Sequence, residues 1–224
     1  MKMLVKIMFA LIAVFAMVST AAPQETMKDS RDGKTYKTVK IGSQIWMAEN
    51  LNYKTTNSYC LDNKHANCSK YGRLYTWSAA MDSVGKWSTN GKGCGYGETC
   101  SPTDPVRGVC PEGWHLPTEL EFDILIDAVG GWKDAGVMLK STTGWKNDNG
   151  TDDFGFSALP AGSMSGPSHY SDKEGAYFWS STDSYHAAYR MGLHRDDELG
   201  IGDERADLRA VGTDYGLSVR CVKD

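Results

Sequence analysis

The chain has 224 residues, 41% of them apolar, with 24 basic and 28 acidic side chains giving a formal charge of −4. That length suits one domain with a sizeable core. The mild acidity excludes nucleic acid as a partner, because its recognition needs a basic face.

Residues 1–21 have the form of a signal peptide. Lys2 and Lys6 make a charged front, Ile7 to Val18 an apolar run, and Ser19-Thr20-Ala21 a small-residue cleavage site. The run is short of the ~20 apolar residues a membrane span needs, so the mature chain is expected to be exported without a span. No cysteine follows the cleavage point to carry a lipid. Six cysteines in an exported chain predict disulfides. Proximity favours Cys60–Cys68 and Cys94–Cys100 as local clips and leaves Cys110–Cys221 as a long closure. No Cys-x₂₋₄-Cys pair of the kind zinc requires is present.

Residues 22–33 are polar and patternless, which predicts a linker before one domain over 34–224. Tyr36–Ile41 and Gln44–Met47 alternate around Gly42-Ser43, the pattern of a hairpin with Gly at the first turn position. Leu51 to Ser69 reads as loop. Over residues 73–81, Leu74, Trp77 and Met81 recur at helical spacing and predict a first helix. Residues 83–107 are a long aperiodic stretch, pinned by Cys94–Cys100.

The second helix has the clearest start. Thr118 follows Pro117 and precedes Glu121 by three positions, a capping box in which each side chain satisfies the other's backbone N–H. Leu120, Ile124, Leu125, Ala128 and Val129 are the expected buried stripe, and Gly130-Gly131 the stop. Strand-like pieces follow at 154–160, 176–181, 187–193 and 217–222. Few helices early and several strands late define an α+β class.

Several blocks carry a family resemblance. They include Gln44-Ile45-Trp46-Met47-Ala48-Glu49-Asn50-Leu51, Tyr71-Gly72-Arg73-Leu74-Tyr75-Thr76-Trp77 and Cys110-Pro111-Glu112-Gly113-Trp114-His115-Leu116-Pro117-Thr118. Gly155-Phe156-Ser157-Ala158-Leu159-Pro160, Phe178-Trp179-Ser180-Ser181-Thr182 and Ser218-Val219-Arg220-Cys221 continue the series. The chain resembles the Fibrobacter succinogenes major paralogous domain family, and more distantly the formylglycine-generating enzyme and C-type lectin-like folds. The resemblance implies an irregular, C-type-lectin-like domain with two main helices, short antiparallel strands and long disulfide-pinned loops. It also implies export in bacteria and display at the cell surface, with no established activity.

The candidate chemistries follow from the side chains. Formylglycine generation needs a reactive cysteine pair late in the chain, and only Cys221 follows Cys110. Gly162-Ser163-Met164-Ser165-Gly166 has Met where a serine hydrolase needs its nucleophile, and reads as a flexible turn. No two carboxylates are paired in the way a glycosidase requires. His115, between Trp114 and Leu116, reads as a satisfied core residue.

Asn147, Asp148, Asp152 and Asp153 cluster hard oxygen ligands around Gly150, a candidate calcium loop that lacks the terminal Glu of an EF-hand. A solvated turn with local side-chain bonds is the plainer reading, and no other cofactor is expected. Trp46, Trp77, Trp114 and Trp179 belong to apolar patterns and are expected in the core. Trp87, Trp132, Trp145, Tyr170 and Tyr185 border polar loops and could stack on sugar rings. The function expected is a non-catalytic binding module for a polysaccharide or a cell-surface protein, as in adhesion. An enzyme using the Gly/Ser/Asp-rich late loops and a structural envelope protein are the alternatives.

Overall fold

A computed structural model describes residues 25–98, 100–146, 149–165, 169–172 and 174–194, and residues 205–224. The expected signal peptide lies outside these residues. Within the expected linker, β1 (Thr26–Lys28) pairs with β2 (Thr35–Ile41), so the domain begins earlier than composition suggested. β2 turns through Gly42, at φ +58°, into β3 (Gln44–Met47). Ile41 faces Gln44 across the turn, which is the two-residue hairpin expected from the sequence.

β4 (Ser58–Tyr59) and the helix α1 (His65–Tyr71) occupy the stretch expected to be loop. The helix predicted over 73–81 is instead β5 (Leu74–Thr76) followed by the single turn α2 (Trp77–Ala80). Leu74, Trp77 and Met81 are all buried, as their spacing required. Two elements bury them, because β5 is captured by strands on both sides. β6 (Trp114–His115) leads into α3 (Glu119–Ala128), with the capping box intact. Glu121 N donates to Thr118 Oγ1 at 3.2 Å, and Thr118 N donates to the Glu121 carboxylate at 2.8 Å.

The buried face of α3 is a correction. Phe122, Leu125, Ile126 and Val129 are buried, while Leu120 is 66% exposed and Ile124 39%. Phe122 stacks on Trp46 at 5.3 Å, and that contact sets the helix phase. After Gly130 and Gly131, both at positive φ, comes the short α4 (Ala135–Leu139). Residues 154–160 form no strand and contribute only an isolated bridge from Ala158 to Lys140.

The remaining strands are β7 (Ser163–Ser165), β8 (His169–Asp172), β9 (Ala176–Ser184), β10 (Ala187–Leu193), β11 (Ala206–Gly212), β12 (Tyr215–Leu217) and β13 (Val222–Lys223). The expected final strand over 217–222 is therefore split between β12 and β13. They assemble as β1-β2-β3-β13-β6, β11-β10-β9 and β4-β5-β12-β7-β8, with every strand pair antiparallel. The fold is thus a mixed one of mostly antiparallel sheets with few helices. Among the described residues no helix is long and apolar enough to cross a membrane.

The last strand joins the first sheet to the middle of the chain. Val222 pairs with Trp46 on one side and His115 on the other. The Cys110–Cys221 disulfide lies beside this junction, and Cys60–Cys68 and Cys94–Cys100 are the local clips expected from spacing. Trp46, Trp77 and Trp179 are fully buried, and Trp114 nearly so. The indoles of Trp77 and Trp179 donate to the Ser180 and Tyr75 carbonyls, at 2.9 and 2.7 Å, so neither polar edge is stranded.

Candidate functional site

The β9–β10 hairpin closes on two residues, with Ser184 opposite Ala187. Both turn residues are left-handed, Tyr185 at φ 33° and His186 at φ 65°. Two-residue hairpins favour this conformation because it matches the twist of the strands. For a residue as large as Tyr it is strained. The turn holds the Tyr185 ring out into solvent, 91% exposed.

Beneath it lies a small cleft of about 200 Å³, shared with the Cys94–Cys100 loop. Glu98 from that loop, Asp183 from β9, His186 from the hairpin turn and Thr213 from the turn between β11 and β12 line it. Thr213 is 2% exposed, and its hydroxyl has no hydrogen-bond partner among the described residues. Tyr96, next to the lining Gly95, is 72% exposed. It lies between Gly95 and Gly97 inside the Cys94–Cys100 clip. The cleft therefore combines one exposed ring, Tyr185, with carboxylate acceptors and one unsatisfied hydroxyl, groups suited to a polyhydroxylated ligand.

The other aromatic candidates are dispersed. Trp145 is 6% exposed and its indole donates to the Ala158 carbonyl at 3.0 Å, which makes it a core ring and corrects the expected loop exposure. Trp132 is 39% exposed. Trp87 is half-buried in a cationic cluster. Arg31 lies 4.1 Å from the Tyr53 ring centre and 5.2 Å from that of Trp87, with Lys86 at 4.5 Å from Trp87. The Asp82 carboxylate accepts from the backbone N–H groups of residues 86–88, which fixes that loop. Tyr170 lies in β8, and its side chain is outside the described residues. Of the five, only Tyr185 lines the cleft.

In the calcium candidate, Asn147 and Asp148 fall outside the described residues. Asp153 is exposed, whereas the Asp152 carboxylate accepts from both the backbone and the hydroxyl of Ser157, at 2.6 and 2.5 Å. Among the described residues no three His, Cys, Asp or Glu side chains converge as a metal would require. The Gly162–Gly166 serines stand in β7, a paired strand and not the flexible turn expected.

Two arrays could be mistaken for catalytic ones. His115 sits between Glu121 and Asp224, 2.8 Å from each. Tyr177, His194 and Asp207 form a chain at 3.3 and 2.9 Å, with Arg190 also on Asp207 at 2.5 Å. Burial raises the carboxyl pKa values of Glu121 and Asp207, but the partners outweigh it and hold both below their ordinary values. Groups held ionised in this way are the reverse of a general acid poised near neutrality. All six cysteines are closed in disulfides, so no thiolate is available.

The family model for the Fibrobacter succinogenes major domain matches residues 39–223. The chain belongs to this family. The Fibrobacter major domain accordingly includes every strand from β3 to β13 and all three disulfides. No curated protein and no solved structure matches the chain. The cleft was partly legible in the sequence through Tyr185. Glu98, Asp183 and Thr213 were missed, because only the tertiary fold brings the disulfide clip to the hairpin.

Proposed function

We propose that this Fibrobacter major domain is a non-catalytic binding module, exported or displayed at the cell surface, that holds a polysaccharide or a glycosylated surface partner. The observation that carries the reading is the exposed Tyr185 ring above a cleft with two carboxylates and an unsatisfied hydroxyl. Rings of this kind present apolar faces and C–H contacts to sugars. The paired carboxylates of Glu121 and Asp207 and the closed cysteines support binding over catalysis.

Export is part of the same reading and rests on the signal-like residues 1–21 and the disulfides. It predicts that protein recovered from outside the cytoplasm begins at Ala22. The C-type-lectin-like architecture rests on the joined chain ends and on loops held by disulfides.

The test is a screen of the full chain on immobilised glycans and insoluble polysaccharides, with calcium and with a chelator. Retention on at least one glycan supports the module. Retention lost on chelation assigns the Asn147–Asp153 loop as the first place to seek the ion. No retention under either condition removes the carbohydrate reading.

A further inference from the structure

A second cavity, of about 460 Å³, shares no lining residue with the tyrosine cleft. It lies between β2, the end of α1 and the 141–143 turn, and its size is in the ~300–1,000 Å³ range of small-molecule sites. Arg220, 1% exposed, contributes to its wall. The guanidinium donates to Asn50 Oδ1 at 2.8 Å, to the Ser157 carbonyl at 3.0 Å and to the Phe156 carbonyl. It also covers the Phe156 ring at 4.2 Å. Every one of these partners is neutral.

Two acids, Asp152 and Glu49, line the same cavity without contacting the guanidinium. Asp152 accepts from Ser157, and Glu49 accepts the backbone N–H of Lys37. Both oppose the effect of burial on Arg220, yet burial prevails and lowers its pKa to about 9. A buried cation with no carboxylate in contact is costly, and such charges are ordinarily paired. On the rim, Lys34 is neutralised by Asp32 at 2.9 Å. The exposed Lys37 and Lys70 form no ion pair among the described residues. Lys34, Lys37, Lys70 and Arg220 thus line the cavity against Glu49 and Asp152, an excess of two positive charges that Asp32 on Lys34 cuts to one, in a chain whose net charge is negative.

We propose that this cavity binds a carboxylate-bearing saccharide, with Lys37 and Lys70 meeting the carboxylate and Arg220 supplying a fixed positive field beneath it. A low-dielectric wall focuses such a field on the opening. The hydroxyls of Ser69 and Thr142 and the amide of Asn52 also line the space. They match sugar hydroxyls that a bare inorganic anion would leave unused. This goes beyond the binding reading above, because it assigns a second site and a ligand charge, and it does not depend on the tyrosine cleft.

The experiment is calorimetric titration of the full chain with an oligogalacturonate, a neutral glucan of equal length, and inorganic phosphate. Oligogalacturonate is expected to bind, to weaken as salt screens the rim, and to lose affinity at least about tenfold in Lys37→Glu/Lys70→Glu. Both lysines are exposed, so an unchanged melting temperature in that variant separates lost binding from lost fold. The Tyr96→Ala/Tyr185→Ala variant is expected to bind oligogalacturonate as the parent does. Oligogalacturonate binding without any neutral-glycan retention would leave this site standing and remove the neutral-sugar reading of the cleft. Absent binding, equal affinity in the lysine variant, or equal affinity for the neutral glucan or phosphate would overturn the proposal.

Discussion

His115 has a carboxylate oxygen 2.8 Å from each ring nitrogen, Glu121 on one side and Asp224 on the other. Burial alone would lower its pKa, but the hydrogen bonds to Glu121 and then Asp224 outweigh it, so the folded value stands above the ordinary 6.5. A group raised in the folded state adds stability that is complete below its unfolded value and is lost as pH rises through the folded one. Glu121, lowered from 4.5, contributes in the opposite sense, losing its share as pH falls through its depressed folded value. Melting temperature is therefore expected to decline from about pH 6.5 upward. In His115→Gln that alkaline decline should flatten; an unchanged slope would show that the imidazole is not the group responsible. The sequence suggested a satisfied core histidine, which was sound. It could not reveal Asp224 as a partner, because that contact spans 109 residues.

At the scale of elements, α3 shows what local pattern can and cannot resolve. The capping box was legible because its chemistry lies within four residues. The buried face was not. Apolar side chains occur at 120, 122, 124, 125, 126, 128 and 129, nearly all round the helix, so several phases satisfied the period. Trp46, far away in sequence, selects the phase by stacking on Phe122. Leu125→Ala is accordingly expected to cost about 2–5 kcal/mol and Leu120→Ala about 0.5 kcal/mol or less. Chemical denaturation of both variants checks the assignment, and equal costs would refute it. The missed strand β5 has a related cause. Three residues are too few to display a period of two, while β4 and β12 pair with them from elsewhere in the chain.

For the whole molecule, cysteine spacing was the most informative signal, since two short clips left one long closure. Cys110–Cys221 joins residues 111 apart, beside the point where β13 enters the first sheet. In the chain-entropy treatment a loop of that length contributes about 4–5 kcal/mol. The Cys110→Ala/Cys221→Ala variant should lose stability on that scale in denaturant titration; a loss under about 1 kcal/mol would mean that sheet pairing holds the tail without the covalent link. The ligand-facing residues were the least legible part. Exposure of Trp145 and Tyr96 is decided by which loops the three sheets bring together, not by polar sequence neighbours. The binding reading depends most on the cleft between the Cys94–Cys100 loop and the β9–β10 hairpin. The direct measurement is calorimetric titration of the best neutral glycan from the screen into the parent protein and into Tyr96→Ala/Tyr185→Ala. An affinity loss of about tenfold or more with an unchanged melting temperature is predicted, whereas equal affinities would contradict the assignment of that cleft.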